Sequence, residues 1–136
     1  MELRLISQGA LFAMAATRAG ADPVEVRLPS PVCEETRIAA INARLATEEN
    51  NKTVYEDPKK VVSAVTYTNG KYGVSYDYVP ALSEGARVGD KIRLCKVAQY
   101  IDCPKGDDRG QTYRAFDFRT GKSWTLMNSE HVCGGA

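Results

Sequence analysis

The chain has a single histidine, His131, and lacks the short motifs that give most enzymes their sequence handle. It has no Gly-Lys-Ser/Thr phosphate loop, no dinucleotide fingerprint, no G-x-S-x-G elbow and no H-E-x-x-H pair, so nucleotide transfer, serine hydrolysis and zinc proteolysis lose their usual signatures. Excess charge of either sign is also missing. Eighteen basic residues face 17 acidic ones for a net charge of +1, and no general field draws the protein to nucleic acid or anionic lipid. The one apolar run near the start, Ala10 to Ala16, is far shorter than a bilayer requires, which argues against a transmembrane segment. Internal repeats, coiled-coil heptads and low-complexity tracts are absent too.

What is present is a globular composition, 43% hydrophobic and 26% charged, in 136 residues, the length of one ordinary domain. Residues 1–21 read as an export signal or a disordered N-terminal segment, and 22–136 as a single domain. Arg4 supplies the positive start, Ala10–Ala16 the apolar stretch, and Ala19-Gly20-Ala21 a small-x-small cleavage site. Glu2, Arg18 and the interruption Ser7-Gln8-Gly9 depart from that pattern, and an amphipathic helix kept on the domain is the alternative. Cleavage would make Asp22 the first residue and, by removing Arg4, Arg18 and Glu2, leave 16 basic and 16 acidic side chains.

Four cysteines, Cys33, Cys95, Cys103 and Cys133, follow the cleavage site, and disulfides persist only in oxidising compartments. The expectation is therefore a periplasmic or secreted protein with two bridges. Three pairings are open to four cysteines. The pairing adopted joins Cys95 to Cys103 across a short loop and Cys33 to Cys133 across most of the domain. A zinc site is the competing use, but Cys95 and Cys103 are too widely spaced for the usual close pair. No cofactor or metal is expected.

Ser30 and Pro31 resemble an N-cap and a first helical residue, Glu34 and Glu35 suit a first turn, and Ile38, Ile41 and Leu45 recur at helical spacing. The pattern predicts a helix ending near Thr47. Glu48 to Lys60 reads as an exposed connection. Val61–Thr68 and Tyr72–Val79 flank Asn69-Gly70-Lys71 as a hairpin, Lys91–Ile101 is a strand, and Gln111–Phe118 and Ser123–Leu126 flank Arg119-Thr120-Gly121-Lys122 as a second hairpin. Trp124 and Phe116 or Phe118 are the expected core anchors. The fold class that results is α+β: one N-terminal helix packed on a twisted antiparallel sheet or small open barrel of about five strands, stapled by disulfides.

Candidate binding residues are few. Asp107, Asp108 and Arg109 stand in a loop between strands, without the oxygen spacing of a calcium loop, and turn chemistry is the simpler use. Tyr67, Tyr72, Tyr76 and Tyr78 could pack beneath the helix, or Tyr76 and Tyr78 could be exposed to a protein or glycan partner; without a basic excess, nucleic acid is not expected.

The segments Cys103-Pro104, Gly106-Asp107-Asp108-Arg109-Gly110, Arg119 to Leu126 and His131-Val132-Cys133-Gly134-Gly135 together resemble small uncharacterised exported proteins of proteobacteria, over roughly Arg87 to Ala136. The resemblance implies export, and the profile of proteins met by a host as antigens, and carries no activity. The expected function is a non-catalytic binding module of inhibitor, immunity or envelope-accessory type. The alternative is a hydrolase-like enzyme with a site near His131 and the Asp107-Asp108-Arg109 loop.

Overall fold

The computed structural model describes residues 22–42, 46–49, 52–55 and 64–135. The export-signal reading of residues 1–21 lies outside them. The architecture is a closed antiparallel barrel of six strands. Its members are β1 (Val24–Asn42), β4 (Ala64–Tyr67), β5 (Tyr72–Val74), β6 (Lys91–Ile101), β7 (Thr112–Asp117) and β8 (Ser123–Met127). They close in the order β1-β4-β5-β8-β7-β6, and β2 (Ala46–Glu49) and β3 (Lys52–Tyr55) form a separate two-stranded sheet. A single π turn, Ala81–Gly85, is inserted before β6.

The expected α+β fold is therefore corrected: the segment predicted as a helix is the longest strand. From Val32 to Arg37, β1 pairs residue by residue with Lys96 to Lys91 of β6, and from Ile38 to Asn42 it pairs with β4. Thr36 and Ile38 face inward while Glu35 and Arg37 face solvent, a period of two that supersedes the helical spacing of Ile38 and Ile41. Ser30 and Pro31 are no helix cap; they lie where β1 loses register with β6 between Arg27 and Val32. Prolines at such an irregularity remove no needed ladder donor. Glu34 accepts from Asn69 Nδ2 and from Lys71 Nζ at 2.6 and 2.5 Å, which holds its carboxyl below the ordinary value and fastens β1 to the β4–β5 turn.

Both predicted hairpins form. Gly70, at φ +85°, turns β4 into β5 as Tyr67 N donates to Lys71 O, and Gly121, at φ +71°, does the same between β7 and β8. The second strand is shorter than expected and ends at Val74.

The barrel interior is filled. Ile38, Val65, Tyr67, Ile92, Leu94, Tyr113, Ala115, Trp124 and Leu126 form one buried cluster, joined by Leu82 from the π turn. Gly73 lets β5 lie close, since a Cβ there would stand 3.1 Å from Val65 and 3.2 Å from Leu126. Trp124 Nε1 donates to the Tyr67 hydroxyl at 2.9 Å. Burial pushes the Tyr67 phenol up to about 12. A phenol raised in the folded state stabilises fully below its unfolded value near 10, and that stability is lost as pH rises through about 12. Alkaline titration followed by tyrosinate absorbance should therefore show one tyrosine ionising last and together with unfolding; its ionisation with the rest in a folded protein would refute the assignment.

All four cysteines are bonded, but in the third pairing: Cys33–Cys95 and Cys103–Cys133. The expected Cys95–Cys103 clip does not form because β6 continues past Cys95 to Ile101, which carries Cys103 well beyond the roughly 7 Å Cα separation that a bridge can span. Cys33 instead lies directly opposite Cys95 in the ladder. In the chain-entropy account, loops of 62 and 30 residues are each worth about 4 kcal/mol. Two such bridges fit an oxidising compartment. Among the described residues no helix is long and apolar enough to cross a membrane.

Candidate functional site

The loop singled out by its charges turns inward on its own chain. Asp107 Oδ1 accepts from Arg109 Nε at 2.9 Å, and Oδ2 accepts from Arg109 Nη2 at 2.8 Å and from Gly134 N at 3.0 Å. Arg109 Nη2 also donates to Gly135 O, and Arg109 O accepts from Cys133 N. The guanidinium, then the Gly134 amide, hold the Asp107 carboxyl far below the ordinary range. Together with Cys103–Cys133 these bonds tie residues 133–135 to the loop, so Asp107 and Arg109 act as a tether. Asp108 is exposed, with its backbone oxygen accepting from Asn128 Nδ2. Gly110, at φ +98°, completes the loop where a Cβ would stand 2.7 Å from the Tyr100 ring.

Tyr76 and Tyr78 are exposed, at 62% and 43%, and Tyr72 at 37%, so these three do not form the packed aromatic face; Tyr67 alone of the four is core. The two clefts beside the charged loop are lined by Tyr100, Tyr72 and Tyr113, and neither Tyr76 nor Tyr78 reaches them. His131 is exposed and lines neither cleft. With all four cysteines in disulfides, none is left as a zinc ligand or thiol nucleophile.

The side chains brought together most suggestively lie elsewhere, on the outer face of β1, β6 and β7. Along β7, Tyr113, Ala115 and Asp117 point into the barrel, which turns Arg114 and Phe116 outward. Phe116 and Phe118 are therefore not the expected core anchors. They are 36% and 46% exposed and meet edge to face with ring centroids 5.3 Å apart. On β6 the same alternation exposes Arg93, while the extra residue Val97, where β6 bulges against β7, joins Cys95 on this face. The result is a cleft of about 460 Å³ floored by the Cys33–Cys95 bridge, walled by Pro31, Val97, Phe116 and Phe118, and rimmed by Arg93 and Arg114. A second depression toward Glu34 and Glu35 shares Cys33, Arg93 and Phe118 and lengthens it into a groove.

The carboxylates at the far end of the groove already carry cations, Glu34 taking Lys71 at 2.5 Å. Glu35 is held by Lys91 at 3.2 Å, and Lys91 Nζ also lies 5.4 Å from the Phe118 centroid. Arg93 and Arg114 have no carboxylate within ion-pair distance among the described residues. The groove is hidden in the sequence because hydropathy assigns Phe116 or Phe118 to the core. The signal that could have found it is the alternation Arg114, Phe116, Phe118 against Ala115 and Asp117. In chemical terms the groove offers apolar area, two guanidiniums and, at its far end, two carboxylates already paired with lysines. The chain matches no protein-family model, no curated protein and no solved structure.

Proposed function

We propose that the protein is an exported, non-catalytic binding domain of the periplasm or extracellular space, of the inhibitor, immunity or envelope-accessory kind, and that the groove over Cys33–Cys95 is its docking face. The observation that carries this reading is the pair of exposed phenylalanines set between two guanidiniums that have no ion-pair partner among the described residues, on a barrel whose interior is already filled. Aromatic and arginine side chains are those that concentrate binding energy at protein interfaces. Charge complementarity specifies the occupant as a segment of another protein that presents an apolar side chain flanked by carboxylates. The resemblance to exported proteins of proteobacteria agrees with this setting.

The test is quantitative capture from envelope extract and from host fluid. A Phe116→Ser/Phe118→Ser variant and an Arg93→Glu/Arg114→Glu variant should each lose the captured protein at least tenfold, since removing a hot spot is worth roughly 2 kcal/mol or more. Both should keep the wild-type melting temperature within a few degrees, because all four side chains face outward. Undiminished capture by both variants would reject the groove as the docking face.

A further inference from the structure

The two disulfides differ in what surrounds them, and the difference points to chemistry. Chain entropy does not separate them, since the loops they close differ only by a factor of about two in length. Access does. Cys33 is exposed and Cys95 half-buried in the floor of the groove, whereas Cys103 is half-buried and Cys133 fully buried, so only the first bridge presents an exposed sulfur-bearing residue. The charges around them are opposite in kind. The cleft at Cys103 contains Asp107 and Asp108, with Arg109 already paired to Asp107, so an approaching thiolate meets carboxylate there. At Cys33–Cys95 the adjoining carboxylates, Glu34 and Glu35, are paired with Lys71 and Lys91, which leaves Arg93 and Arg114 to meet it, and Arg114 lies directly across the ladder from Cys95.

We infer that Cys33–Cys95 is a thiol-exchange site whose substrate is a dithiol reductant carrying negative charge, while Cys103–Cys133 is the inert staple. The incoming thiolate attacks Sγ of the more exposed Cys33 and forms a new sulfur–sulfur bond there. The Cys33–Cys95 bond breaks, and Cys95 leaves as a thiolate facing Arg114. The second thiol of the reductant then displaces Cys33 from the mixed disulfide. Two electrons and two protons have passed to the chain, and the reductant has become a disulfide. The barrel survives this exchange because the ladder continues on both sides, through Val32↔Lys96 and Glu34↔Leu94. The reduced thiols stay opposite one another, ready to reclose. This inference uses the groove but does not depend on which protein docks there.

The test uses the oxidised full chain and small thiols of defined charge. Under native conditions with dithiothreitol, followed by alkylation and peptide mass mapping, Cys33 and Cys95 should be modified at least tenfold faster than Cys103 and Cys133, with an unchanged circular dichroism spectrum. Earlier opening of Cys103–Cys133, or opening of both only on unfolding, would overturn the inference. With single thiols, the adduct should map to Cys33; an adduct on Cys95 would overturn the order of steps. At low salt the ratio of rates for anionic mercaptoethanesulfonate over cationic cysteamine should fall roughly a hundredfold in Arg93→Gln/Arg114→Gln, the size expected of two guanidinium charges acting at about 6 Å through water on thiols that differ by two units of charge. In the wild type that ratio should also fall as salt is added, a readout that needs no variant. An unchanged ratio in both arms would reject the anionic class of substrate without touching the docking proposal, which is read by capture alone.

Discussion

Replacing Trp124 with alanine is expected to cost about 4 kcal/mol of folding stability, measured by urea denaturation. Trp124 is 4% exposed and belongs to the single cluster that fills the barrel, so truncation leaves a cavity that the surrounding strands cannot close without shifting their register. It also removes the only donor described for the Tyr67 hydroxyl, which is itself buried. Trp124→Phe separates the two effects. It keeps most of the ring volume but strips the donor, for a smaller loss of about 1–2 kcal/mol. Adding Tyr67→Phe should then recover part of that loss, because both polar atoms have gone. A Trp124→Ala variant less than about 1 kcal/mol below the wild type would show that the core is not organised around this residue.

The second large effect lies where β7 ends. Asp117 is fully buried; its Oδ1 accepts from Arg119 N and Thr120 N, while Oδ2 meets no donor. Asp90, 7% exposed, takes a bidentate pair from Arg119 at 2.6 and 2.9 Å and the amide of Arg87 at 2.9 Å. Arg119 also donates to Gly85 O at the π turn. A proton on Asp117 Oδ2, donated to Asp90, is the arrangement this orphaned buried oxygen predicts, and the pH dependence below tests it. In keeping with that, burial and then Asp90 raise the Asp117 carboxyl, while Arg119 holds Asp90 far below the ordinary range.

Asp90→Ala should therefore cost about 3 kcal/mol, as expected when one member of a buried network is removed. Asp117→Asn should be mild, because an amide supplies the donor that the proton supplies. The pH dependence has two limbs. Asp90, with its folded value lowered, stabilises above its unfolded value near 3.8 and loses that stability as pH falls through the folded value. Asp117, with its folded value raised, stabilises below 3.8 and loses that stability as pH rises through the folded value. The second limb is absent from Asp117→Asn. Its melting temperature should consequently gain on the wild type as pH rises from about 4 to about 7. A constant difference across that interval would show that Asp117 is ionised throughout.

This pair also explains where the sequence could and could not be read. The hairpins at Asn69-Gly70 and Thr120-Gly121 were legible because their turns are local, and Lys91–Ile101 because β-branched and alternating residues mark it. That the cysteines would be bonded followed from their number and setting. The spacing misleads because Ile38 and Ile41 satisfy two periods at once, and the partners that decide between them are distant: β4, about 25 residues on, for Ile38 and Ile41, and β6, more than fifty residues on, for Val32 to Arg37. The pairing of the cysteines depended on the same missing fact. Phe116 or Phe118 is expected inside because nothing local shows that Asp117 takes an interior place on this strand: a carboxyl enters a core only with partners, and one of them, Asp90, is brought to it by the fold. The charged loop at Asp107 looked available for the converse reason: its consumers, Gly134 and Gly135, arrive from the other end of the domain.

The alternation along β6 and β7 has one more consequence. Within Arg114-Ala115-Phe116-Asp117, odd and even positions answer to different masters: Ala115 and Asp117 to the interior, Arg114 and Phe116 to whatever lies outside. Two scripts are interleaved in one short stretch of chain, and editing one leaves the other legible. A library randomised at positions 93, 114, 116 and 118 would explore new partners on a scaffold that does not register the change, which makes this face the natural place to evolve or to engineer recognition.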